Sequence, residues 1–132
     1  MSEGLIKALI KQGINPPKAC AKAFEEQFNG STSVEWFEQG AVYEAIFYKD
    51  DLEHIALFHK NGQLIEYRRT VPQGFLPHSI RQLILEKGEI MNRVLLNRGN
   101  EILYEVIYRD SDHVRFMILL TDLGQVIEHK KL

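Results

Sequence analysis

Gly62-Gln63-Leu64-Ile65-Glu66-Tyr67-Arg68-Arg69 returns, 62 residues further on, as Gly124-Gln125-Val126-Ile127-Glu128-His129-Lys130-Lys131. Four of the eight positions are identical and the other four are conservative swaps. Upstream, Tyr43-Glu44-Ala45-Ile46-Phe47 returns as Tyr104-Glu105-Val106-Ile107-Tyr108 at almost the same offset. A period of this length marks a supersecondary unit used twice. Each copy alternates apolar and polar side chains, which is the strand period.

Working outward, each half opens on proline. Asn15-Pro16-Pro17 precedes a helical stretch at 18–28, and Leu76-Pro77 precedes one at 78–87. Proline suits the first helical turn, where its missing N–H would be unpaired anyway. Cys20, Phe24 and Phe28 recur at spacing four, as do Ile80 and Ile84, so each helix has one apolar stripe. Gly30 and Gly88 are expected to end them. Four strand-like runs follow each helix, at 33–38, 41–48, 53–59 and 63–71, then at 90–96, 101–108, 113–121 and 125–131. The turns match one to one, and Asn61-Gly62 is a strong hairpin signal. A further helix is expected over 3–12, with Ser2 as its N-cap. The predicted fold is α+β, one domain over 1–132. It comprises two tandem αββββ repeats at about 16–71 and 76–132, antiparallel sheet with helices packed on one face, and a short N-terminal helix.

Two-residue turns at Gln39-Gly40 and Asn61-Gly62 fix an expected register. Trp36 then faces Tyr43, Phe58 faces Ile65, and Ala56 faces Tyr67. One sheet face collects Val34, Trp36, Tyr43, Ala45, Phe47, Phe58 and Ile65, and in the second half Tyr104, Val106, Tyr108, Phe116, Ile118, Leu120 and Ile127. Almost free of charge, it is assigned to the core beneath the helices, with Trp36 buried, the alternative being that Trp36 and the tyrosines form an exposed aromatic binding stripe. The other face is mixed. Phe37, Glu44, Ile46, Tyr48, Leu57, His59, Glu66 and Arg68 fall on it, with Ile107, Arg109, Met117 and Leu119 in the second half. A wetted antiparallel face has no need of so many aliphatic residues. These twelve are the candidate partner-binding residues. Ile46, Leu57, Ile107 and Leu119 would form an apolar strip within a polar rim, unless the N-terminal helix or a second copy of the chain covers it.

The pattern carried by Ala23-Phe24 with Phe28, Val34-Glu35-Trp36, Tyr43-Glu44-Ala45-Ile46-Phe47, Asn61-Gly62-Gln63-Leu64 and Leu76-Pro77 resembles the β-lactamase-inhibitor-like family, also called PepSY-like. The resemblance covers about residues 16–132. It implies an exported bacterial protein, and its better understood relatives are inhibitors that bind proteins through an open sheet face with helices behind. No inhibitory residue transfers to a position of this chain.

Composition and motifs narrow the remaining classes. Apolar residues at 45% and charged residues at 26% are ordinary for a chain that buries a core. A net charge of −2 leaves no electrostatic footprint for nucleic acid. No segment has the length of apolar sequence that a membrane span needs. With no apolar signal segment at the N-terminus, the expected compartment is the cytoplasm, or the periplasm if an export signal has been removed. Cys20 is the one cysteine, so no internal disulfide forms, and its helical, apolar setting marks it as a buried hydrophobe. The five histidines show no metal-ligand spacing. Glu44 and Glu105 are equivalent through the repeat, which explains them without catalysis. The acidic turns at 50–51 and 110–112 lack a calcium loop. No catalytic residue, cofactor or metal is expected. The leading expectation is a non-enzymatic module that binds a protein, a peptide or a second copy of itself. The alternative is a small-molecule or enzymatic site between sheet and helices.

Overall fold

The computed structural model describes residues 13–132, and the helix expected over 3–12 lies outside them. The elements run α1 (Lys18–Gln27), β1 (Thr32–Gln39), β2 (Val42–Lys49), β3 (Leu52–His59), β4 (Leu64–Thr70), α2 (His78–Leu85), β5 (Glu89–Arg98), β6 (Glu101–Arg109), β7 (Arg115–Thr121) and β8 (Val126–Lys131). The chain divides into two compact units, Met1–Arg69 and Thr70–Leu132. Within each, a helix is followed by antiparallel neighbours in chain order, β1 to β4 and β5 to β8. The described residues are thus α+β, with eight antiparallel strands and two helices.

Both helices start the same way. Pro17 and Pro77 hold the N-cap position, one residue earlier than the first turn expected of them, with extended backbone (ψ 147° and 139°). Their carbonyls accept the first helical bonds, from the N–H of Ala21 at 3.1 Å and of Arg81 at 3.0 Å. Proline's fixed φ suits this position and costs no donor the helix would use. The ends differ. Gly30 turns left-handed (φ 86°), whereas Gly88 matters through close approach, since a Cβ there would collide with the Arg109 carbonyl.

The helix stripes fix which sheet face is core. In the first unit Cys20 and Phe24 pack with Trp36, Ala45, Phe47, Ala56 and Phe58. In the second, Ile80 and Ile84 pack with Val106, Tyr108, Ile118 and Leu120, joined by Val71 and Leu76. Burying each large apolar side chain contributes about 1.5–3 kcal/mol. Trp36 is 8% exposed and meets Phe24 edge-on at 5.7 Å.

Three registers depart from expectation. The β1–β2 turn is Gly40-Ala41, with Gln39 opposite Val42, so Trp36 faces Ala45 and not Tyr43. A slip of two keeps every side chain on its face. At the β3–β4 hairpin the loop is Lys60-Asn61-Gly62, closed by the N–H of His59 on the Gln63 carbonyl at 2.9 Å. Three-residue loops of this kind end in a left-handed residue, here Gly62 (φ 91°). A bulge then sets Leu64 opposite Phe58, and the expected Ala56–Tyr67 and Leu57–Glu66 pairs follow. The extra residue puts Leu64 against the core in place of Ile65. The β7–β8 hairpin repeats the device. Leu120 faces Val126 across a bulge, and Ile127, expected in the core, is 51% exposed.

Candidate functional site

Strand alternation brings the first-unit candidates onto the sheet face away from α1. Phe37 is opposite Glu44, Glu44 opposite Leu57, Leu57 opposite Glu66, and Ile55 opposite both Ile46 and Arg68. Tyr48 and His59 stand at opposite ends of this face. In the second unit Ile107 is opposite Met117, Leu119 is opposite Glu105, and Arg109 ends the row.

The expected open apolar strip is not what this face presents. Ile46 is 3% and Leu119 6% exposed, while Leu57 and Ile107 are half-buried. Phe37, Ile46 and Ile55 form a buried cluster of their own, as do Leu96, Leu103, Met117 and Leu119. Apolar groups of this size gain most by leaving water, so they form the floor and the polar groups stay above it. Glu44 is buried and accepts a hydrogen bond from Gln39 Nε2 at 3.3 Å. The residues that reach solvent are Tyr48 and His59, with Leu57, Glu66 and Arg68 half-buried. Tyr48 donates its O–H to Glu53 at 3.2 Å. In the second unit Arg109 is held by Glu89 at 2.9 Å.

On the helix side each unit has a groove between its helix and its first strand. The first, about 480 Å³, is walled by Phe24, Phe28, Val34 and Trp36, with Glu25, Asn29 and Ser31 at the rim. The second, about 240 Å³, is lined by Leu76, Arg81, Leu85, Glu89, Ile90 and Arg93. Register makes Arg93 the counterpart of Trp36, since each stands across from the equivalent residue of the next strand, Val106 and Ala45. The Arg93 guanidinium donates through Nε to the Val71 carbonyl at 3.0 Å. The two grooves thus differ where Trp36 in one is replaced by Arg93 in the other. Among the described residues no three His, Cys, Asp or Glu side chains gather as a metal would need.

One arrangement escaped the sequence reading. His54 Nδ1 lies 2.6 Å from the Tyr67 hydroxyl, and its Nε2 lies 3.1 Å from the Lys49 carbonyl. A carbonyl only accepts, so Nε2 carries the proton and Nδ1 accepts from the phenol. Phe47 stacks on the other side of His54 at 5.2 Å. In the second unit the Tyr108 hydroxyl lies 2.6 Å from His129 Nε2, with Phe116 stacked on Tyr108 at 5.3 Å. The registers match, Phe47 opposite His54 and Tyr108 opposite Phe116, with Tyr67 and His129 one strand further on. Each unit therefore holds one Phe, one His and one Tyr at the same three positions, in permuted order. Aligning the halves by their offset would have revealed it.

Burial sets the electrostatics of these rings. It pushes His54 below its ordinary value against a raising hydrogen bond from Lys49, and the nearby Arg69 charge acts in the same direction as burial. Burial pushes Tyr67 up, and Tyr108 is raised by burial and by Asp110. At neutral pH His54 and Tyr67 are thus both uncharged, a packed polar contact with neither a thiolate-like nucleophile nor a free base. Cys20 is fully buried, its S–H donating to the His59 carbonyl at 3.2 Å, and burial raises its pKa. Such a thiol is inert.

No family model and no curated relative matches the chain. Solved structures do match. A BLIP-like protein from Bacteroides fragilis aligns at TM-score 0.79 and 17% identity over 90% of this chain and 88% of its own. A DUF2874 family protein from Bacteroides uniformis aligns at 0.80 and 14%, over 89% and 90%. A Bacteroides eggerthii protein provisionally described as periplasmic aligns at 0.81 and 13%, again over 89% and 90%. At these identities the likeness shows a shared fold, so the fold is BLIP-like. No helix among the described residues is long and apolar enough to cross a membrane.

Proposed function

We propose that the chain is a non-enzymatic binding module that recognises a protein or peptide through the sheet face turned away from α1. The observation that carries this reading is the layered build of that face in the first unit. A buried apolar floor of Phe37, Ile46 and Ile55 supports a solvent-reaching layer of Tyr48, Leu57, His59, Glu66 and Arg68. A rigid floor under aromatic and arginine side chains is the composition of a contact surface whose few anchors dominate binding. The BLIP-like fold supports the reading, because the resemblance to the β-lactamase-inhibitor-like family implies binding through an open sheet face. Descent from a single helix-plus-four-strand unit used twice, kinship to PepSY-like proteins, and action in the periplasm belong to the same proposal. They rest on the matched element order and on the solved structures that share the fold.

The test is retention of partners from the native host's extract on immobilised chain. A partner held by the wild type should be lost on Tyr48→Ala and Arg68→Glu and kept on Glu25→Lys, which alters the rim of the α1 groove. Loss on Glu25→Lys with retention on the two sheet-face variants would move the site to the groove and overturn the proposal.

A further inference from the structure

β8 is exposed at every residue from Val126 to Lys131. Among the described residues its one strand partner is β7. The N–H of Leu132 donates to the Arg115 carbonyl at 2.9 Å, so residues 128, 130 and 132 turn their backbone groups toward β7. Antiparallel ladders alternate. His129 and Lys131 therefore turn two N–H and two C=O groups to the open edge, and the bulge at Ile127 ends the regular run. Such an edge is a template for another strand, and its side chains decide which.

We infer that the β8 edge pairs with β8 of a second copy of the chain, antiparallel about a two-fold axis through His129. Hydrogen bonding requires outward residues to face outward residues, which leaves a two-fold centred on one of residues 127 to 131. Centring on Glu128 sets that carboxylate against itself, and centring on Lys130 or Lys131 sets ammonium against ammonium. Like charges directly opposite destabilise a strand pair. Centring on Ile127 shortens the ladder and leaves Glu128 opposite Val126. Centring on His129 sets Glu128 opposite Lys130 twice, and Val126 opposite Leu132 twice. Val126 and Leu132 are 45% and 59% exposed, and the side chains of Glu128 and Lys130, now 3.7 Å apart within the strand, are 50% and 56% exposed. The charge pattern of β8 thus selects one register and disfavours its neighbours. This surface is separate from the sheet face proposed above to bind partners.

A strand pair of this length buries less than the roughly 800 Å² per partner of a standard interface, so the dimer is weak and depends on concentration. Sedimentation or light scattering over a hundredfold concentration range should show the mass rise from 15.3 kDa toward twice that value. Lys130→Glu alone and Glu128→Lys alone should each stay monomeric, because each places four like charges in the pairing. Mixed in equal amounts, the two variants should associate with each other, since every pair is then of opposite sign. The double exchange Glu128→Lys with Lys130→Glu in one chain should restore self-association. All of these sites are exposed, and unchanged circular dichroism would confirm that the fold is kept. A wild type that stays monomeric over the range overturns the inference. So does a dimer indifferent to the single reversals, or a mixture that associates no better than its components.

Discussion

Gly62→Ala should destabilise the chain far more than Gly124→Ala, although both glycines end equivalent hairpin loops with almost the same backbone, φ 91° and 88°. The shared cost is the left-handed conformation, about 1–2 kcal/mol for a residue with a Cβ. The difference is in what each new methyl would meet. At Gly124 the nearest atoms belong to Ser79, at an ordinary 3.8 Å. At Gly62 the methyl would lie 2.6 Å from the Ala19 carbonyl oxygen and 3.1 Å from its carbon, both backbone atoms of α1. Neither can swing aside like a side-chain tip, so the helix must shift by most of an ångström. Forcing a close-packed interior in this way costs about 1–3 kcal/mol more. The expected totals are about 2–5 kcal/mol at Gly62 and about 1–2 kcal/mol at Gly124. Urea titration followed by far-ultraviolet circular dichroism gives both from the midpoints, provided the slope is unchanged. A second readout is built into the same contact. Cys20, the next residue of α1, holds the His59 carbonyl of this hairpin, so displacing the helix should also expose the thiol. Equal losses at the two glycines, or a Gly62→Ala chain as stable as wild type, would refute the close approach.

The remaining expectations concern Cys20 and His54. Fully buried and with its pKa raised, Cys20 should resist a disulfide reagent at neutral pH and react on unfolding; labelling of the native chain at the rate of a free thiol would contradict that burial. His54 is held neutral, its folded pKa below the ordinary value of about 6.5. Above that value both states are neutral and the histidine adds no pH dependence. As pH falls below it the unfolded chain takes a proton that the folded one refuses, and stability is lost toward the folded pKa. Between pH 7.5 and pH 5 the wild type should therefore lose more melting temperature than His54→Phe, the residue found at the equivalent position 116; equal losses would show that His54 does not titrate this way.

Much of the fold was legible because strand period and turn chemistry are local. Tyr43 to Phe47 and Tyr104 to Tyr108 alternate faces whatever they pair with, so the faces of these two strands are legible even where the register is not. The β1–β2 slip escaped because Gly40 fits the first position of a two-residue turn as well as the second. The bulges escaped because Asn61-Gly62 reads the same at the end of a three-residue loop as in a two-residue one, and the difference moves Leu64 inward and Ile127 outward. The candidate surface was less legible. Ile46 and Leu119 read as an open strip because periodicity tells which residues share a face and not whether that face is wet. Burial is a tertiary property, and two apolar faces on one sheet leave it undecided.

The Phe, His and Tyr trio shows why the repeat is plain at the ends of the strands and hidden in the core. At the hairpins the backbone dictates the residue, so Gly62 and Gly124 stand in register with the same φ. In the core the constraint is on summed volume and on satisfying each polar atom. In the first unit Phe47, His54 and Tyr67 meet it, and in the second Tyr108, Phe116 and His129 set the same three rings at the equivalent positions, with His129 on the exposed β8. Volume-conserving exchange is the kind a core tolerates. A histidine without its phenol, or a phenol without its acceptor, would leave a buried polar group unpaired at about 1–3 kcal/mol. The two residues therefore have to move together. Under the proposed duplication this predicts that Phe47→Tyr or Tyr67→His alone is costly, whereas moving the whole trio, His54→Phe with Phe47→Tyr and Tyr67→His, recovers most of the loss. A triple exchange no more stable than the sum of its single changes would mean that the trios match by coincidence of composition and not by shared packing.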